Sequence, residues 1–338
     1  MTSLFPWSGL SAAVGRLDLW AVINLLGGPL LAAGADEAGW LGAGLPFDLL
    51  PALRQARVDC GGTQVGASSG LWPSRLTGQP FGAVLLGVEG NIALLQRPAV
   101  AIVGARSCTP YGLEHAGAIA QAVVGAGGVV VSGLARGIDR EAHLGANGAT
   151  IAVLGQGLDA PMPTWQAGLR RRLLDQGGLV VSEFPRAMPA DCWTFPIRNR
   201  IVAGLAVATV VVEASHKSGA RNTAAHALRL GREVLAVPGP LNAIASAGCL
   251  DLIEEGAIMV RSAATVLAAA GLTAPKVDPT GNDRESIVLA ALGTGATPEQ
   301  IVRSSRLSHP EVSAALVVLG LTARVWRLAG NRFVPRPP

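Results

Sequence analysis

The chain has 338 residues, half of them apolar and 15% charged, and its formal charge is +4. These values exclude an extensively disordered chain, leave room for more than one domain, and permit nucleic-acid binding without demanding it. The cysteines, Cys60, Cys108, Cys192 and Cys249, stand far apart with no C-x-x-C pair. That argues against a zinc site or a disulfide framework and fits a reducing, cytoplasmic setting.

The opening MTSLFPWSGL lacks the basic start of a signal peptide. Residues 19–35 are uncharged, but the stretch is short for a membrane span and is interrupted by Asn24 and Gly27-Gly28-Pro29. A buried helical hairpin is the better reading, and no membrane contact is expected. Helix-like segments at 17–26 and 46–57 predict a small helical domain over residues 1–70. Trp72-Pro73 leads into the main domain, residues 71–270, through a strand at 83–87 expected to cover one sheet edge.

Short apolar runs then recur at 100–103, 129–131, 150–154, 179–182, 209–212 and 233–237. Unbroken runs of this length suit strands buried on both faces of a parallel sheet. Helices are expected from the first loop to about residue 126, from Asp139 through 146, and over 221–230, with Arg170-Arg171-Arg172 on the solvated side of another. Strand, glycine loop and helix at this interval predict an α/β fold, an extended Rossmann-like, doubly wound sheet.

In open α/β sheets ligands bind beyond the carboxyl ends of the strands. The loops there read GARSCTPYG from Gly104, SGLARGID from Ser132 and EASHKSG from Glu213. Glycines let the backbone turn sharply and bring N–H groups to an anion, with the next helix adding its positive end. Neither of the first two is G-x-G-x-x-G, so they predict phosphate binding in some form and not a dinucleotide site. Arg106, Arg136, Arg198 and Lys217 at one sheet edge favour binding over tight turns alone. FPIRNR, from Phe195 to Arg200, sets two guanidiniums and an amide beside an aromatic ring. That suits an anionic polymer with stackable bases, core packing of Phe195 being the alternative. Asp139 is expected to cap or begin a helix and His143 to be packed and hydrogen-bonded. Glu183 and Glu213 end strands, but spacing names no catalytic partner for either.

Residues 271–282 form a Pro/Gly/Thr-rich linker. Residues 283–338 follow with three helix-like segments and an alternating hairpin with a Gly-Asn turn, a winged-helix pattern. Seven Arg stand there against four acids, yet the presumed recognition helix, 308–319, has Glu311 and no Arg or Lys. That composition leans towards a protein-docking or structural role for this module.

The ordered motifs VAIVGAR, PYG, VSGLARGIDREAH, TIAVLGQGLD, SEFP, FPIRNRIVAGL and VVEASHKSGA resemble the DNA-processing protein A family (DprA, also called Smf), closely over residues 72–260. The resemblance implies a homodimer through the Rossmann domain that binds single-stranded DNA and loads the RecA recombinase onto it during natural transformation. By residue match Gly104, Arg106, Gly133, Ala135, Arg136 and Gly137 would line the pocket. Phe195, Arg198, Asn199, Arg200, Lys217, Ser218 and Gly219 would complete it. No catalytic residue, cofactor or metal is implied. Met162, Gln166, Leu250 and the stretch Ala220 to Ala224 depart from the family pattern, and Arg221 offers a replacement phosphate contact. Two other readings stand beside this one: a nucleotide-processing enzyme using Glu183 or Glu213, and a winged-helix regulator of duplex DNA.

Overall fold

The computed structural model describes residues 64–66, 69–77, 79, 85–184, 186–273, 284–321, 324–328 and 330–336. The helix-like segments at 17–26 and 46–57 and the hairpin expected at 19–35 lie outside the described residues. The chain divides into two compact units between residues 274 and 275.

In the first unit, nine strands among the described residues form one sheet: β1 (Gln64–Gly66), β2 (Leu85–Gly90), β3 (Ala99–Gly104), β4 (Val129–Ser132), β5 (Thr150–Val153), β6 (Leu179–Ser182), β7 (Ala208–Val212), β8 (Glu233–Ala236) and β9 (Ile258–Met259). Their order is β1-β2-β6-β5-β4-β3-β7-β8-β9. β3 to β9 pair in parallel, whereas β2 lies antiparallel to both β1 and β6. The chain winds outward from β3 to β6, then returns to the other flank of β3 as β7. That reversal creates a crevice at the carboxyl ends of β3 and β7, the place where such sheets bind ligands.

Alternate residues of each buried strand feed opposite faces, as a period of two requires. Val129, Val131, Ile151 and Val153 pack on one side with Ile201, Val202 and Leu205. Val100, Ile102, Val130 and Val210 pack on the other with Ile119, Val123 and Val266. The helices on the second side include α1 (Pro110–Gly125), α2 (Ile138–Gly145), α3 (Thr164–Asp175) and, later in the chain, α7 (Ala263–Ala269). On the first side lie α4 (Thr194–Leu205), α5 (Gly219–Arg229) and α6 (Ile244–Glu254).

The structure corrects several expectations. Gln64–Gly66 belongs to the sheet and not to a separate helical domain, so β1, beyond β2, closes that edge. FPIRNR, to which the sequence assigned no element, is helical, and Pro196 falls in the first turn, where a missing N–H is harmless. The first three residues of the expected linker, 271–273, are described, and Leu272 packs against the sheet unit's core.

The far end of α4 is held by two arginines. Arg232 Nη1 donates to the carbonyls of Ala203 (2.8 Å), Gly204 (2.5 Å) and Ala206. Arg75 Nε donates to Leu205 O at 2.8 Å, and Arg232 Nη2 donates to Arg75 O at 2.7 Å. Together they satisfy carbonyls that a helix terminus leaves without partners. Burial pushes both guanidiniums below their usual range, Arg232 to about 10.

The second unit packs α8 (Arg284–Leu292), α9 (Pro298–Ser305) and α10 (His309–Leu321) around Val288, Ile301, Val312 and Leu316. Thr297 and Gln300 form a capping box at α9. β10 (Val325–Leu328) and β11 (Arg332–Pro335) form the hairpin, with Gly330 and Asn331 both at positive φ in its turn. This is the winged-helix arrangement expected from the sequence.

Candidate nucleic-acid interface

A cavity of about 840 Å³ opens at the crevice beside β3 and β7. Of the residues expected to line it, Gly104, Arg106, Gly133, Ala135, Phe195, Arg198, Asn199, Ser218 and Gly219 do so. Arg136, Gly137, Arg200 and Lys217 do not.

Consecutive residues on a helix diverge by about 100°, so the FPIRNR side chains fan out. Arg198 is buried at the floor, where Nη1 donates to Gly133 O at 2.6 Å and to Val153 O. Desolvation brings its pKa down to about 10, although Asp139 nearby works against that shift. Asn199 turns to α5 and donates to Asn222 Oδ1 at 3.2 Å. Arg200 runs away from the cavity into a buried ion pair with Glu183. One motif thus supplies a floor, a wall and a core strut.

The 133–137 loop is fixed from within. Asp139 Oδ2 accepts the N–H of Gly133 at 3.1 Å and of Ala135 at 3.4 Å. Leu134, at φ 55, donates its N–H to His143 Nε2 at 3.3 Å and accepts from Gln166 Nε2 at 3.2 Å. Ile138 N donates to Ala105 O at 3.2 Å. A Cβ at Gly133 would sit 2.5 Å from the Arg198 guanidinium, which would have to shift from its place. Gly137 adopts φ 74 with a would-be Cβ 2.3 Å from Ala105 O, so it permits a close turn and does not face the cavity. The N–H groups of Gly133, Leu134 and Ala135 already have acceptors, so these three are not free for the expected phosphate cradle.

Asp139 lies in the first turn of α2 but is not its cap; it holds the loop. Burial pushes its carboxyl up, while Arg198 and the loop amides pull it down. His143 is buried: Thr150 Oγ1 donates its proton to Val130 O, so His143 Nδ1–H donates to Thr150 Oγ1 at 2.7 Å and Nε2 accepts from Leu134. Desolvation and Arg198 lower its pKa to about 3, which makes it a neutral packed histidine as expected.

The cations sort into two groups. Arg198, Arg200 and Arg221 are committed, the last to Asp251 at 2.5 Å and Glu255 at 2.8 Å, so it is no substitute phosphate contact. Arg106, Arg136 and Lys217 are exposed and make no ion pair among the described residues. Arg106 sits on the cavity rim with its guanidinium 5.4 Å from the Phe195 ring centre, and Arg136 stacks 5.0 Å over Trp165. α5 opens on the same cavity: Ser218 caps it, accepting from Ala220 N at 3.2 Å, and its first turn forms a wall. That helix end adds positive potential. The sequence reading missed Ser215, Asn222, Thr223, Ile244 and Ala245, which also line the cavity. For Asn222 and Thr223 the signal was available, since a first helical turn after Ser218-Gly219 must face the strand ends.

Neither strand-end glutamate is poised there. Glu183 is in the Arg200 pair, and Glu213, at φ 58, accepts the Thr109 N–H at 2.9 Å and the Thr109 hydroxyl. Glu213 instead faces a second cavity of about 510 Å³, which shares Ala245 with the first. Among the described residues no helix is long and apolar enough to cross a membrane.

Comparison with known proteins agrees with this geometry. Residues 64–271 match the model of DNA recombination-mediator protein A, and residues 265–331 match the DprA winged helix domain. The chain is 36% identical over 277 residues to Protein Smf of Escherichia coli, covering 78% of this chain and 74% of that one. It is 43% identical over 189 residues to the DNA processing protein DprA of Streptococcus pneumoniae, 55% of this chain and 66% of the relative. The crystal structure of DprA from S. pneumoniae superposes with a TM-score of 0.62 at 32% identity, covering 78% of this chain and 95% of that one. Helicobacter pylori DNA processing protein A, whose single-stranded DNA binding mode has been described, superposes at 0.55 with 28% identity over 61% of this chain and 95% of its own. The chain belongs to the DNA recombination-mediator protein A family.

Proposed function

We propose that this protein binds single-stranded DNA across the larger cavity and loads RecA recombinase onto it, acting as a homodimer in natural transformation or recombination. The observation that carries the DNA reading is the rim: an exposed, uncommitted Arg106 stacked on Phe195 at the positive end of α5. A cation beside an aromatic face suits a phosphate next to a stackable base. The RecA step rests on family membership, because a protein that only coated strands would exclude the recombinase. Binding comes from Arg106, Arg136 and Lys217 at the surface, with Arg198 holding the floor in shape.

Gel shifts with single-strand, duplex and mononucleotide competitors test the binding, which should favour the single strand and weaken steeply with salt. For loading, the protein should accelerate RecA filament growth on strands precoated with single-strand-binding protein. The Arg106→Ala variant should be slower there while still associating with RecA without DNA. Tight binding combined with pure inhibition of filament growth would mean a protective or storage role instead.

A further inference from the structure

The second cavity differs in chemistry from the first. Its walls include the Tyr111 ring, 43% exposed, together with Pro238 and Pro240. The ring is held in place: its hydroxyl donates to Pro238 O at 2.8 Å, and it makes a T-shaped contact with His115, centroids 4.2 Å apart. Among the described residues, the one charged group on the lining is the Glu213 carboxylate, with no cation. A phosphate would be repelled; a flat, uncharged ring carrying N–H donors would be held.

Glu213 is also strained. A non-glycine residue at φ 58 costs of the order of 1–3 kcal/mol and persists where its surroundings over-determine it. Glu213 lies on the cavity lining at the end of β7, 5% exposed, with Thr109 taking one position on each carboxylate oxygen. A carboxylate has about four acceptor positions, so capacity remains on both oxygens. Ala245 lines both cavities, so the second adjoins the first.

We propose that this chamber receives one base of the bound strand, stacked on Tyr111, and that it prefers guanine. Guanine alone presents two adjacent donors, N1–H and the N2 amino group, to a carboxylate; the other bases set an acceptor beside each donor on that edge. The inference rests on the reading that a single strand occupies the larger cavity.

The test measures affinity of the full chain for three oligonucleotides: all thymidine, the same with one internal deoxyguanosine, and the same with one deoxyinosine, which lacks the N2 amino group. Deoxyguanosine should tighten binding on the order of tenfold, and deoxyinosine by less. Tyr111→Ala should abolish the gain while keeping the affinity for thymidine, and Tyr111→Phe, which keeps the ring, should preserve it. Equal affinity for all three strands, or a gain that survives Tyr111→Ala, overturns the chamber and leaves the single-strand reading intact. No binding to any strand overturns that reading and this inference with it.

Discussion

Arg106 at the rim of the larger cavity and Arg198 at its floor carry the same side chain in opposite circumstances. The first is exposed and makes no ion pair; the second is buried, donating to the carbonyls that end β4 and β5. The difference teaches that arginines in a binding motif divide between displaying charge and shaping the place where charge is displayed. Only the displayed ones neutralise phosphates and release counterions.

The largest effect should come from breaking the floor. Arg198→Ala leaves Asp139 buried without its cation and the Gly133 carbonyl without its donor, a loss of roughly 3–5 kcal/mol. Chemical denaturation should show it, and DNA binding should fall with the fold. An unaltered denaturation midpoint would move Arg198 to the displayed group.

Next comes acid. His143, folded pKa about 3, binds its proton less readily in the folded than in the unfolded state, where about 6.5 is expected. Its contribution is complete above pH 6.5 and is lost as pH falls towards 3, at about 1.4 kcal/mol per pH unit. Denaturation curves between pH 7 and 4 should show that slope in the native chain and a flatter one in His143→Gln.

At the rim, Arg106→Ala should weaken single-strand binding roughly tenfold at every sequence with the melting temperature unchanged. Arg136→Ala and Lys217→Ala should each do less, lowering the salt slope by about 0.7 per lost phosphate contact. A salt slope unaffected by all three would sink the division between rim and floor. The smallest effect should follow removal of residues 275–338, which should leave most single-strand affinity in place, since the cavity lies wholly in the first unit.

Much of the sheet was legible because both-face burial leaves apolar runs that nothing else explains, and β3 to β8 fall within a residue or two of those runs. β1 and β9 were not, being three and two residues long. The site was legible as a list and not as a geometry. FPIRNR reads as one basic patch only while its backbone is unspecified; once helical, Arg198 and Arg200 lie about 200° apart, and one meets Gly133 while the other meets Glu183. In the same way the 133–137 loop promised free amides, and only the fold reveals that Asp139 already accepts from Gly133 and Ala135 and His143 from Leu134.

The arginine bracket at the far end of α4 has a mechanical consequence. Arg75 precedes β2 in the chain, yet it grips the carbonyl of Leu205 and is itself gripped by Arg232. α4 is thereby a lever anchored at one tip, with the cavity floor at the other. A partner that pulls on the segment around Arg75, or a protease that cuts it, would loosen the anchor and be felt about two helical turns away, at Arg198, without touching the DNA.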